Sequence, residues 1–116
     1  MHVRSSKRGT VLVVAPQGLD TDHVPAVEAA IAEHIERGET RLVIDLSGVP
    51  YISSGGLRII FKTVTAMMRK NGKVGLCGGN AQVLQVLQLS GGMVMALHSP
   101  GLDEAIEKLT STLPLR

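Results

Sequence analysis

The stretch Asp45-Leu46-Ser47-Gly48-Val49-Pro50-Tyr51-Ile52-Ser53-Ser54-Gly55-Gly56-Leu57-Arg58 decides the fold. Leu42, Val43, Ile44 and Leu46 at its start form a short apolar run with β-branched members, the pattern of a strand covered on both faces of a sheet. From its end onward Leu57, Ile60, Phe61, Val64 and Met68 recur at helical spacing, which predicts a helix from Ser54 or Gly55 to Asn71 and Gly72. A serine at such a junction is a natural N-cap, because its oxygen accepts a hydrogen bond from a free first-turn amide. The positive end of the helix dipole favours negative charge at the same spot. Ser54 is therefore read both as a cap and as a hydroxyl suited to carry a phosphate, two compatible roles. Ser53 is read as the residue that ends the strand and turns the chain.

Outward from this junction, strands and helices alternate. A strand near His2 to Ser6 pairs with the β-branched run Val11 to Val14 through a hairpin at Lys7 to Gly9, and Pro16 and Gly18 end that run. Val24, Val27, Ile31 and Ile35 then mark a helix that stops at Gly38. Beyond the central helix, Val74 to Cys77 form a strand and Gly78, Gly79 and Asn80 turn the chain. Asn80 caps a helix through Val83, Leu84 and Leu87 that stops at Ser90 to Gly92. Met93 to Leu97 read as a last strand. Ser99 as N-cap and Pro100 as first helical residue open a final helix along Leu102, Ala105, Ile106 and Leu109. The order β-β-α-β-α-β-α-β-α predicts an α/β domain with a mixed sheet of about five strands and about four helices.

With 116 residues the chain fits one domain spanning residues 1–116. Hydrophobic residues make up 44% and aromatics 2%, so the core is built from aliphatic side chains and no aromatic platform exists for base stacking. The formal net charge of +2 comes without a basic stripe, which argues against nucleic-acid binding. The single Cys77 excludes an internal disulfide and suits a reducing compartment, where it reads as a small buried strand residue. No apolar run approaches the roughly 20 residues that span a bilayer, so a cytoplasmic location without membrane insertion is expected.

No catalytic constellation emerges. His2, His23, His34 and His98 lack the spacing of a metal pair, and Cys77 has no neighbouring ligand. Gly75, Gly78 and Gly79 lack the Lys-Ser/Thr of a phosphate-binding loop and are explained by turn chemistry. Ser53 and Ser54 follow a strand and precede a helix, as a hydrolase nucleophile does. Tyr51 and Ile52 nevertheless stand where the nucleophile elbow needs glycine, and His98 is better read as a strand-end histidine than as a base. The expected reading is non-enzymatic, with no cofactor.

The segment Asp45 to Leu57 resembles the central signature of the STAS domain, the sulfate transporter and anti-sigma factor antagonist family. Gly18 to Thr21, Val74 to Gly78 and Leu102 to Ile106 are similar to further segments of that family. The resemblance implies a regulatory phosphorylation site at Ser54, with Ser53 as runner-up, and places Ser53 where many phosphorylated members carry Asp. It implies an anti-sigma factor antagonist whose partners are a GHKL-type serine kinase anti-sigma factor and a PP2C-type phosphatase. A partner switch serving a non-sigma target and a regulatory subunit of a lipid-transport ATPase complex are alternatives that the family also supplies.

The expected partner surface comprises Asp20, Thr21, Ser53, Gly55, Gly56, Arg58 and Ile59. Gly55 and Gly56 leave the backbone open to a kinase or phosphatase, or simply serve the turn. Arg58 is placed to meet an acidic partner surface, within a polar stripe that includes Lys62, Thr65 and Arg69. Ile59 is either an exposed apolar anchor or partly buried. Asp20 and Thr21 cap the first helix and border the site. The free domain is expected to be a monomer or weak dimer.

Overall fold

The computed structural model describes residues 3–92 and 96–110. Its elements are β1 Arg4–Arg8, β2 Val11–Ala15, α1 Val24–Glu36, β3 Arg41–Asp45, α2 Ser54–Arg69, β4 Lys73–Cys77, α3 Ala81–Ser90, β5 Leu97–Ser99 and α4 Leu102–Thr110. The five strands form one sheet in sequential order, β1 antiparallel to β2 and the rest parallel. The expected mixed α/β architecture and element order are thus observed.

The topology explains where the helices lie. From β2 to β5 each strand is laid beside its predecessor in the same direction, so right-handed crossovers put α1, α2 and α3 on one face of the sheet. There Leu12, Val14, Leu42, Ile44, Val74 and Leu76 pack with Val27, Ile31, Ile60, Val64, Val83 and Leu87. The opposite face shows Val11, Val13, Val43 and Cys77, and α4 returns across it with Ala105 and Leu109. The alternation of Val11 to Val14 between the two clusters is the period of two of a strand buried on both sides.

Several boundaries differ from the sequence expectation. The hairpin turn is only Gly9 and Thr10, since Arg8 pairs with Val11, so Lys7 and Arg8 join the strand rather than the turn. Gly9 supplies the positive φ (64°) that this tight reversal needs. All of β1 is exposed, and its cations sit on an edge strand, where charge discourages pairing with another chain. Of the strand expected over Met93 to Leu97, residues 93–95 lie outside the described residues, and the strand observed is Leu97–Ser99.

Ser99 is accordingly no N-cap. It closes β5 fully buried, and Pro100 precedes the helix, whose first bond runs from the Ala105 amide to the Gly101 carbonyl (3.1 Å). Asn80 does cap α3, its Oδ1 accepting the Val83 amide at 2.9 Å.

The buried face of α2 is also rotated from the expected stripe. Met68 is 65% exposed and Met67 fully buried, because the face turned to α1 and the sheet is Ile59, Ile60, Thr63, Val64 and Met67. At 100° per residue the inward strip is wider than the expected stripe of Leu57, Ile60, Phe61, Val64 and Met68 and is turned from Leu57 and Met68 toward Ile59 and Thr63. Thr63 fits this apolar face because its hydroxyl donates to the Ile59 carbonyl at 2.8 Å.

Candidate functional site

The strand-to-helix junctions after β2, β3 and β4 lie at one edge of the sheet, the carboxyl ends of its parallel strands, where ligands and partners of open α/β sheets gather. The loop after β2 and the loop after β3 are joined by a parallel bridge between Leu19 and Ile52. Here the structure assigns the two serines different work. Ser53 is the N-cap of α2, in extended conformation (φ −79°, ψ 169°), its Oγ accepting the Gly56 amide at 3.1 Å. The same hydroxyl donates to the Leu19 carbonyl at 2.8 Å, and the Ser53 amide donates to that oxygen at 3.0 Å. Reading Ser54 as the cap is therefore corrected. A β-region residue is required at the cap, and the chain reaches helical dihedrals one residue later, at Ser54.

Ser54 is the first residue of α2 and is exposed, and its hydroxyl makes no hydrogen bond among the described residues. Gly55 is half-buried, with ordinary room for a side chain near Val24. Gly56 is buried and packed directly on the Leu19 backbone, so its role is close approach and not access for a partner.

Arg58 is exposed one turn beyond Ser54. Both residues line a shallow groove that runs past Leu57 and Phe61 toward Arg69. Ile59 is only 4% exposed and packs in the core, which removes it from the expected partner surface. It lies 100° around the helix from Arg58, on the side facing α1. Lys62 is exposed and paired with Glu28 of α1 at 2.6 Å. Between Ser54 and Arg69 the helix carries no acidic residue.

Asp20 sits beside the junction, one residue from the Leu19 carbonyl. Its carboxylate accepts the His23 amide at 3.0 Å and lies 2.8 Å from His23 Nδ1. The hydrogen bond from the His23 ring holds the Asp20 carboxyl below its ordinary pKa. Asp20 thus ties down the turn 20–23 and not the first turn of α1 itself, whose N-cap position is His23. Thr21 is exposed at the crest of that turn. His23 was not singled out for this place from the sequence, although an Asp three residues before a His at a helix start is the pattern of a side-chain-stabilised turn.

The other residues considered for chemistry lie elsewhere. His98 is on β5, two strands from β3, with Nε2 3.1 Å from the Gly78 carbonyl oxygen. Cys77 is buried on β4, and burial together with the neighbouring Asp45 carboxylate pushes its thiol up to about 12, which leaves it an unreactive core residue. Asn80 braces the loop before Ser53 from the other side, its Nδ2 donating to the Pro50 carbonyl at 2.9 Å. Among the described residues no three His, Cys, Asp or Glu side chains are grouped as metal ligands would be, and no helix is long and apolar enough to cross a membrane.

Comparison with known proteins places this geometry. BtrV of Bordetella bronchiseptica, whose name describes an anti-sigma factor antagonist, is 30% identical over 92 residues, covering 78% of this chain and 79% of BtrV. The crystal structure of an anti-sigma factor antagonist from Mycobacterium paratuberculosis superposes with a TM-score of 0.86 at 26% identity, over 95% of this chain and 94% of that one. SpoIIAA in its unphosphorylated form gives a TM-score of 0.81 at 18% identity, over 97% of this chain and 100% of its own. The phosphorylated form of this Bacillus cell fate determinant gives 0.73 at 18% identity, over 92% and 98%. The SpoIIAA likeness speaks for the fold alone. The model of the STAS domain matches residues 3–105, from β1 into α4, and the chain belongs to the STAS domain family.

Proposed function

We propose that this chain is an anti-sigma factor antagonist whose binding to a serine kinase anti-sigma factor is switched by phosphorylation of Ser54. The observation that carries the reading is the division of labour between the two serines. Ser53 performs the capping, so the exposed Ser54 hydroxyl is left without structural duty. The names of BtrV and of the mycobacterial protein support the partner class, and SpoIIAA supplies a precedent for a phosphorylated state on this fold.

In this scheme the Ser54 oxygen takes the γ-phosphoryl group of ATP held by a GHKL-type kinase, ADP leaves, and the hydroxyl proton passes to a base of the kinase. A PP2C-type phosphatase hydrolyses the ester and restores the hydroxyl. The phosphate adds about −1.5 to −2 charges at the amino end of α2, where the helix dipole accepts it, so the fold persists while the surface changes. A partner seated over Ser54 then meets an unmatched, desolvated charge, and a penalty of about 3 kcal/mol weakens binding roughly a hundredfold.

The test is intact-mass and peptide mass spectrometry after incubation with ATP and a GHKL-type kinase nominated from genome neighbours, with Ser54→Ala alongside. A single phosphate on Ser54, lost in the variant and followed by weaker kinase binding, is the expected result. No phosphate with any such kinase, alongside tight binding to a different partner, would sink the switch and favour a regulatory-subunit role.

A further inference from the structure

The surroundings of Ser54 say what becomes of its phosphate inside the molecule. Arg58 stands four residues on, on the same face of α2, and lines the same groove as Ser54. Residues so spaced on a helix have Cβ atoms roughly 5–6 Å apart, and an anion placed amino-terminal to a cation is the favourable orientation. Among the described residues Arg58 makes no ion pair or side-chain hydrogen bond.

Three of the other charged groups nearby are committed elsewhere, while Asp22, in the turn before α1, is exposed and makes no ion pair among the described residues. Lys62 is held by Glu28 of α1 at 2.6 Å, and Asp20 and His23 before α1 are paired with one another at 2.8 Å. No carboxylate on α2 competes for the guanidinium. Of the first-turn amides, Gly56 and Leu57 donate to Ser53 Oγ (3.1 Å) and the Ser53 carbonyl (2.9 Å), while those of Ser54 and Gly55 have no partner among the described residues.

We propose that a phosphate on Ser54 closes onto the Arg58 guanidinium, so that phosphorylation withdraws Arg58 from the partner-facing surface as well as adding charge. This rests on the reading of Ser54 as the phosphoacceptor. The planar fork of an arginine binds two phosphate oxygens at once, and the dianion offers more acceptors than the monoanion. The unphosphorylated domain therefore presents a cation that is unpaired among the described residues, and the phosphorylated domain an internal ion pair. An acidic partner surface loses its arginine in the same event that sets a phosphate against it.

The experiment uses the full chain with phosphoserine incorporated at position 54 during synthesis, so no kinase is needed, and follows the phosphate by 31P NMR as a function of pH. An ordinary phosphoserine has its second pKa near about 6. With Arg58 present that value lies lower than in Arg58→Gln by about half a unit or more, with Arg58→Lys between them because a point charge replaces the fork. Superimposable titrations of the wild-type and Arg58→Gln proteins overturn the ion pair. Failure of the kinase reaction described above removes the acceptor reading without altering this titration, so the two ideas fail separately. Arg58 is exposed, and thermal unfolding of the variants verifies that each remains folded.

Discussion

Gly56 on α2 lies directly against the backbone of Leu19, with no room for a side chain. A Cβ at Gly56 would meet Leu19 Cβ at 2.8 Å and the Leu19 carbonyl oxygen closer still. That oxygen is the one on which both the amide and the hydroxyl of Ser53 converge. The contact is backbone against backbone and cannot be relieved by a rotamer change. Gly56→Ala is therefore expected to destabilise the domain by about 1–3 kcal/mol, despite the helix preference of alanine. At Gly55 the nearest atoms to a new Cβ are at 3.7 and 3.8 Å, ordinary contact, so Gly55→Ala ranges from neutral to about 0.5 kcal/mol more stable. Urea unfolding of the two variants decides. Equal effects from both would refute the close-approach argument.

The serines give an inverse pair. Ser53→Ala loses the cap to Gly56 and the bond to Leu19, and leaves a buried segment without its tie, a cost of about 1–2 kcal/mol. Ser54→Ala removes an exposed hydroxyl that has no partner among the described residues and changes stability by no more than about 0.5 kcal/mol. Thermal melts read the stability difference and phosphate incorporation reads the other half. A destabilised Ser54→Ala with an unaffected Ser53→Ala would reverse the assignment of roles.

The sequence carried the strand-helix alternation because its apolar runs are short, β-branched and separated by glycine-rich turns, and Asn80 declared itself as a cap by residue type alone. The junction was located but its register was not. Ser53 and Ser54 are both good caps, and the choice is made by a tertiary bond to the Leu19 carbonyl, 34 residues away, which local pattern cannot contain. The buried face of α2 was misread for a similar reason. Met67 and Met68 are equally apolar, and only the packing of α2 against the rest of the core selects Met67. The bond of His23 to Asp20 is local, three residues apart, and what the pattern does not contain is that the bridge between Leu19 and Ile52 sets this turn beside the junction.

Ile59 and Arg58 are sequence neighbours with opposite duties. Ile59→Ala opens a cavity between α1 and α2 and is expected to cost about 2–4 kcal/mol. Arg58→Ala, on the exposed side, is expected to change stability by less than about 0.5 kcal/mol. The measurement is chemical unfolding of both variants. An Ile59→Ala protein as stable as wild type would return that side chain to the surface.

The last expectation concerns acid. The Asp20 carboxyl is held below its ordinary pKa by the His23 ring and amide, whereas in the unfolded chain it titrates near about 3.9. A carboxyl depressed in the folded state contributes stability that is present in full above the unfolded value and is lost as pH falls through the folded one. In Asp20→Asn the charge is gone, while an amide oxygen remains to accept the His23 amide. Wild type is therefore the more stable at neutral pH, and the gap closes on acidification below about pH 4. Urea midpoints of the two proteins across the acid range check this, and parallel curves would count against it. Because Asp20 adjoins the Leu19 carbonyl that holds Ser53, loosening the turn also loosens the cap. Amide hydrogen exchange at Ser53 should be faster in Asp20→Asn at the same pH, linking the charged turn to the junction that presents Ser54.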